Sequence, residues 1–410
     1  MDNDGQQRRI DLRARVDSAL ERRVADDLLR QRRTVSHCRQ AHVSCDGQRL
    51  LDFAGNDYLG LAHHPAMVSA MQVAAQNCGV GAGASHMVCG HHQEHEALER
   101  AIAQWLGYPR ALLFGAGYLA NLAVMQALLQ AGDVCLQDKL DHASLIDGAR
   151  LSQARLVRYP HADVVAARRQ AQAHAEGALL LATDGVFSMD GDVAPLAELA
   201  ALADEQQGLL YVDEAHAIGV LGPDGRGSAA AAGLDPRRAP LLLVTLGKAL
   251  GSCGAVLVGQ DWIIEHVMQT ARAYIYTTAM PPALAVAALT AVKLAREQSW
   301  RREKLAGLIA RFRSGAQALG LQLLDSHTPI QPLPVGDNTR LLRIAQNLHE
   351  RGFLVGAIRP PSVPPGGARL RITLSAAHEP HDIDALLDAL APLAAEIAAG
   401  KGDPDHSVAG

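Results

Sequence analysis

The sequence predicts an α/β protein with a mostly parallel sheet, and three observations carry that expectation. Short apolar runs, ALLF (111–114), ALLLA (178–182), LLYV (209–212) and LLLV (241–244), alternate with Ala/Leu-rich helical stretches. Each run is followed by polar or glycine-rich sequence, in turn GAGY, TDGVFSMDGD, DEAH and TLGK, and open α/β sheets bind ligands at the C-terminal ends of their strands. The 410 residues, 49% apolar and 20% charged, suffice for a large cored domain and a smaller one.

From Asp11 to Arg33, Leu12, Val16, Leu20, Val24 and Leu28 fall four apart among charges, which predicts an amphipathic helix with one buried stripe. Its RQRR end reads as a solvated basic run that suits the helix dipole. The helical stretches and apolar runs that follow Asp52 form the large domain, and MPP at 280–282 breaks any helix there. An Ala/Leu/Arg-rich helix then leads into a second α/β region. The expected divisions are 1–50 (N-terminal helix and connecting segment), 51–285 (large domain), 286–400 (small C-terminal domain) and 401–410 (frayed polar tail).

A net charge of −5 gives no basic excess for neutralising phosphates, so small molecules are expected rather than nucleic acid. Cysteines 38, 45, 78, 89, 135 and 253 are scattered without a Cys-x-x-Cys pair, which points to reduced thiols in a cytoplasm. The polar start MDNDGQQRRI and the lack of an apolar run near ~20 residues predict neither export nor membrane insertion.

The chemistry concentrates at strand ends. LLYVDEAHAIG puts Asp213 at the end of one run with His216 three positions on, and TLGKALGSCG embeds Lys248 among small residues that leave room for a planar ligand. Burial at such a place disfavours the ammonium form, and a neutral amine is the nucleophile that forms imines. The phosphate-loop alternative requires glycine at 242 and a hydroxyl at 249, where the chain has Leu242 and Ala249. FGAGYLAN matches the loose dinucleotide pattern through Gly115, Gly117 and Ala120, yet helix-start amides suit a single phosphate equally well. In HHQEH, His91 and His95 are one helical turn apart, but the order His-Glu-x-x-His is absent and no metal site is expected. The glycines of CGVGAGAS are read as a tight turn beside the site.

NDYLGLAHHP, GAGASHMVCG, DHASLIDGAR, DGVFSMDGD, VDEAHAIGVLGPDGRGS, TLGKALG, YTTAMPP and AIRPPSVPPGGARLRITLSAAH, in this order, resemble the α-oxoamine synthases. These are fold-type I enzymes dependent on pyridoxal 5'-phosphate (PLP), which join an amino acid to an acyl thioester with loss of carbon dioxide. The resemblance spans nearly the whole chain and implies a transferase with a seven-stranded, mostly parallel sheet. The AIRPPSVP and GASHMV versions imply L-alanine and a pimeloyl thioester, on coenzyme A or a carrier protein, as substrates. Glycine-using members typically lack the Arg-Pro-Pro.

By the same resemblance Lys248 holds PLP as a Schiff base and then removes the substrate α-proton. Asp213 pairs with the pyridinium nitrogen, His216 with the ring's phenolic oxygen, and His142 stacks on the ring and meets the substrate. Gly117 and Tyr118 cover the cofactor near its phosphate, Thr245 donates to that phosphate, and Ser188 is a further cofactor contact. Thr277 and Thr278 reach the phosphate from a neighbouring subunit, which implies a homodimer with shared sites. Arg30 and Arg359 are the carboxylate forks, Ser362 stands where the family more often has threonine, and Asn56 lies near the substrate carboxylate.

Overall fold

The computed structural model describes residues 9–399 except Gln31 and Gln40, so the 401–410 tail lies outside the described residues. In chain order the strands are β1 (Val35–Arg39), β2 (His42–Cys45), β3 (Gln48–Phe53), β4 (Arg110–Phe114), β5 (Val134–Asp138), β6 (Arg155–Tyr159) and β7 (Leu179–Asp184). β8 (Leu209–Asp213), β9 (Leu241–Thr245), β10 (Ala255–Gly259), β11 (Ile330–Gly336), β12 (Phe353–Ile358) and β13 (Ala368–Thr373) follow. The four apolar runs picked out in the sequence are β4, β7, β8 and β9.

The larger sheet has the order β4-β10-β9-β8-β7-β5-β6. β10 runs antiparallel to both neighbours and the other pairings are parallel. Only the segment between Thr245 and Ala255 joins β9 to β10, too few residues for the dozen or more that a parallel crossover needs, so the chain returns alongside itself. Helices cover both faces. Leu241 and Leu243 enter one core with Ala120, Val124 and Ile264, while Leu242 and Val244 enter the other with Leu98, Ala288 and Leu199. Successive side chains of one strand thus serve opposite layers. That is why the runs read as continuously apolar.

Four of the parallel strands end in a polar residue, Asp138 on β5, Asp184 on β7, Asp213 on β8 and Thr245 on β9, and these ends share one edge of the sheet. Three helices begin or lie near that edge: Gly117–Leu128, Ala143–Leu151 and the short Ser228–Ala231.

The second sheet has the order β1-β2-β3-β12-β13-β11. Its centre is the parallel pair β3 and β12, with Phe353 opposite Leu51. Strands near the N-terminus and strands near the C-terminus therefore build one layer. The division drawn at 50/51 falls inside β3, and the one at 285/286 falls inside the helix Pro282–Glu297, which starts on the MPP prolines as a first-turn proline allows.

The N-terminal helix departs from expectation. It covers Leu12–Ala25 and not Asp11–Arg33, because Asp27 takes φ 54° and Leu28 N–H returns to Arg23 O at 2.8 Å, closing the end. Arg22 and Arg23, not the RQRR run, occupy its last turn. None of its residues is buried, and the stripe of Leu12, Val16, Leu20 and Val24 faces outward. Among the described residues no helix is long and apolar enough to cross a membrane.

Candidate active site

Lys248 follows β9, and the small residues around it let its side chain fold back over the strand ends. Its Nζ lies 2.9 Å from His216 Nε2. Burial lowers the lysine pKa, opposed by Asp213 and Asp184 and reinforced by Arg371. His216 is buried, and desolvation followed by the Lys248 charge holds its pKa well below the ordinary value. Its other nitrogen, Nδ1, is 2.6 Å from Tyr58 Oη. Burial pushes that phenol up to about 12, so it stays protonated.

Asp213 ends β8 in the buried interior. Ala215 N–H donates to its Oδ1 at 2.9 Å, and Asn121 Nδ2 donates to its Oδ2 at 2.8 Å. The same amide nitrogen donates to Ser144 Oγ at 2.8 Å, and Ser144 Oγ is 2.7 Å from His142 Nδ1. Tyr211 Oη donates to Asn121 Oδ1 at 2.5 Å, which fixes the amide's orientation. His142 is the N-cap of the helix Ala143–Leu151, and its backbone N–H donates to Asp184 Oδ2 at 2.8 Å. Desolvation lowers the His142 pKa against the pull of Asp213. Glu214, the middle of Asp-Glu-Ala-His, points the other way: it accepts from Ser228 N–H, Ser228 Oγ and Ala229 N–H at 2.7–2.8 Å and ties down the following loop.

Thr245 Oγ1 donates to Ala215 O at 3.1 Å, and its methyl is pressed against Gly117, where a Cβ would sit 3.0 Å from Thr245 Cγ2. Gly117 opens a helix of 12 residues whose first amides are free. Tyr118 beside it is half exposed and its hydroxyl donates to Asp147.

Asn56 and Ser188 meet through a residue that sequence reasoning did not select. Arg371 on β13 is buried; its Nε donates to Ser188 O at 2.7 Å and its two terminal nitrogens reach Asn56 Oδ1 at 3.3 Å. Asn56 Oδ1 also lies 3.2 Å from Tyr58 Oη, so Arg371, Asn56, Tyr58, His216 and Lys248 form one continuous chain. A charged residue inside the apolar run LRITL was the available signal for Arg371. Asn121 stood within FGAGYLAN, Tyr58 within NDYLGL and Asp184 at the end of ALLLATD, but nothing in their spacing set them apart.

Arg30 and Arg359 come together elsewhere. Arg30 Nη2 donates to Ser362 Oγ at 3.0 Å, Arg359 donates to Asp27 O, and desolvation and then the neighbouring Arg30 charge lower the Arg359 pKa. Neither shares a hydrogen bond with the Lys248 group. Thr277 is half-buried and Thr278 exposed, at the bridge between Thr278 and Ser85. Their side chains make no hydrogen bond to the lysine group.

A family model described as aminotransferase class I and II matches residues 48–390. The 8-amino-7-oxononanoate synthase of Stenotrophomonas maltophilia (strain R551-3) is 58% identical over 384 residues, 93% of this chain and 94% of that one. Among solved structures, the 8-amino-7-oxononanoate synthase of Francisella tularensis superposes with a TM-score of 0.73 at 31% identity, over 84% of this chain and 97% of that one. A serine palmitoyltransferase variant from S. paucimobilis with a bound PLP–myriocin aldimine gives a TM-score of 0.90 at 27% identity, over 95% and 100% of the two chains.

Proposed function

The chain belongs to the class I and II aminotransferase family and, within it, to the α-oxoamine synthases, and on that premise we propose that it condenses L-alanine with a pimeloyl thioester. The products are 8-amino-7-oxononanoate, carbon dioxide and the free thiol carrier, a step of biotin biosynthesis. Its cofactor is PLP, and the residues fit that group. A desolvated lysine stands near a buried carboxylate, and Gly117 starts a helix whose first amides are free, packed against Thr245. Lys248, Asp213, His216, His142, Ser188, Thr245, Gly117 and Tyr118 would hold it. When bound, PLP would supply an electron sink for the charge left by loss of the α-proton.

The protein's own groups do the rest. Lys248 Nζ, with its pKa lowered by burial, takes the α-proton of alanine and later returns it. The hydrogen bond between Tyr58 Oη and His216 Nδ1 fixes the imidazole ring so that its Nε2 faces Lys248. Asn121 orients the Asp213 carboxylate with one amide hydrogen and steadies Ser144 and His142 with the other. The Arg371 guanidinium, anchored by Ser188 and Asn56, holds a carboxylate of the amino acid next to Lys248. Arg30 and Arg359, two cations brought side by side, take the distal carboxylate of the pimeloyl chain, with Ser362 fixing Arg30.

The sites belong to a homodimer in which Thr277 and Thr278 of each subunit serve the other's cofactor phosphate. The outward apolar stripe of the N-terminal helix and the exposed Tyr276 and Tyr118 support that assembly. The observation that carries the functional reading is the Lys248–His216–Tyr58 chain set beside Asp213 at the strand ends. Purified protein supplied with alanine and either pimeloyl-coenzyme A or the pimeloyl carrier protein is expected to form 8-amino-7-oxononanoate, read by mass spectrometry. Turnover only with glycine and succinyl- or acetyl-coenzyme A would overturn the substrate assignment.

A further inference from the structure

We propose that His86 and His91 form a binding site for a divalent first-row transition ion, such as Zn²⁺ or Ni²⁺, outside the lysine site. The loop that carries them is tightly closed: Gly90 N–H donates to Ser85 O at 2.9 Å, and a Cβ at position 90 would lie 2.0 Å from Ala84 O. Only glycine fits there, and the closure brings His86 Nδ1 to 2.9 Å from His91 Nδ1.

Each imidazole is prepared as a ligand. The His86 ring stacks on Tyr274 at 5.1 Å with an interplanar angle of 8°, which sets its plane. His91 Nε2 lies 3.3 Å from Glu96 Oε2, and Arg100 holds the other oxygen of that carboxylate at 3.3 Å. A carboxylate behind the distal nitrogen is the support that metal-bound histidines commonly have, fixing the tautomer and strengthening the donor. With His91 Nε2–H given to Glu96, the ion-free pair is held by His86 Nδ1–H donating to His91 Nδ1. The ion takes that proton's place, and His86 carries its proton on Nε2 instead.

His95, the partner that helical spacing suggested, is a wall of the site and not a ligand. Its Nδ1 accepts from His92 N–H at 3.0 Å and its Nε2 donates to Met280 O at 2.8 Å. With metal–nitrogen bonds of about 2.0–2.1 Å, the 2.9 Å spacing of the two Nδ1 atoms corresponds to a near-right angle at the ion. An opening of about 0.4 Å would reach the tetrahedral angle. His91 is exposed and free to make it. Solvent or an external anion fills the remaining positions.

Untagged holoenzyme, freed of metal with a chelator, is titrated with Zn²⁺ in competition with a chromophoric chelator. Saturation at one ion per chain is expected. H91N, at an exposed position, and H86A should each weaken binding roughly tenfold or more, and E96Q by about tenfold through its support of His91. Visible absorption of the bound cofactor reports that each variant is folded. Unchanged affinity in both H91N and H86A, or no saturable binding by the unaltered protein up to about 0.1 mM ion, would overturn the site.

Discussion

Lys248 combines two demands that pull against each other, since a lysine is costly to desolvate when charged and useless as a base unless it is desolvated. Asp213 and Asp184 keep its pKa from falling without limit, while burial and Arg371 keep it low. K248A is therefore expected to lose both the visible absorption of bound PLP and turnover, the latter by about 10²–10⁴-fold or more; product formation retained at the original rate would contradict its role. His161 makes a second prediction at this scale. Burial opposes its charge, but Asp138 at 3.1 Å and Asp192 at 2.8 Å overcome that and raise its pKa from 6.5 to about 10. The raised value means that the folded state holds a proton the unfolded state releases, so this stabilisation is full below pH 6.5 and lost as pH rises through about 10. Melting temperatures of H161Q and the unaltered protein should differ most near pH 6 and converge toward pH 10 (about four pH units apart). A gap constant across that range would show that His161 is uncharged. Lys248, Asp213 and His216 were legible because small residues, a strand end and a short spacing mark them. Asn121, Tyr58 and Arg371 were not, because each acts through partners distant in the chain.

At the scale of elements, the helix that opens on Gly117 and the strand that ends on Thr245 approach so closely that a Cβ at 117 would sit 3.0 Å from the Thr245 methyl. Replacing Gly117 with alanine forces that contact apart, and overpacking of this kind costs about 1–3 kcal/mol. The G117A variant should accordingly lose about 1–3 kcal/mol of folding stability and, with the helix start displaced, bind PLP more weakly, as measured by titrating apoenzyme with cofactor and following its absorption. An unchanged affinity would mean that this helix start does not form the phosphate cradle. The apolar runs announced β4, β7, β8 and β9, since strands buried on both faces cannot be written otherwise. The N-terminal helix was legible in type but not in extent: four-residue spacing continues through Leu28, whereas the backbone at Asp27 turns left-handed and stops it.

For the molecule as a whole, the exposed stripe of that helix is the surface on which the proposed dimer rests. Covering Leu12, Val16, Leu20 and Val24 against a second subunit would recover about 1.5–3 kcal/mol for each side chain fully buried. If the sites are shared as proposed, V16D/L20D should shift a dimer toward monomer in light-scattering measurements and reduce PLP retention, because the partner's threonines would leave with it. A monomeric unaltered protein with full activity would refute the shared-site arrangement. The α/β class and the family were determined by the sequence alone, because local periodicity and short motifs are properties of contiguous residues. The joining of β3 to β12 in one sheet, the relay from Arg371 to Lys248, and the pairing of His91 with His86 in place of His95 were settled by tertiary packing. Each depends on which distant segments lie next to each other, and the spacing of residues along a chain carries no measure of that.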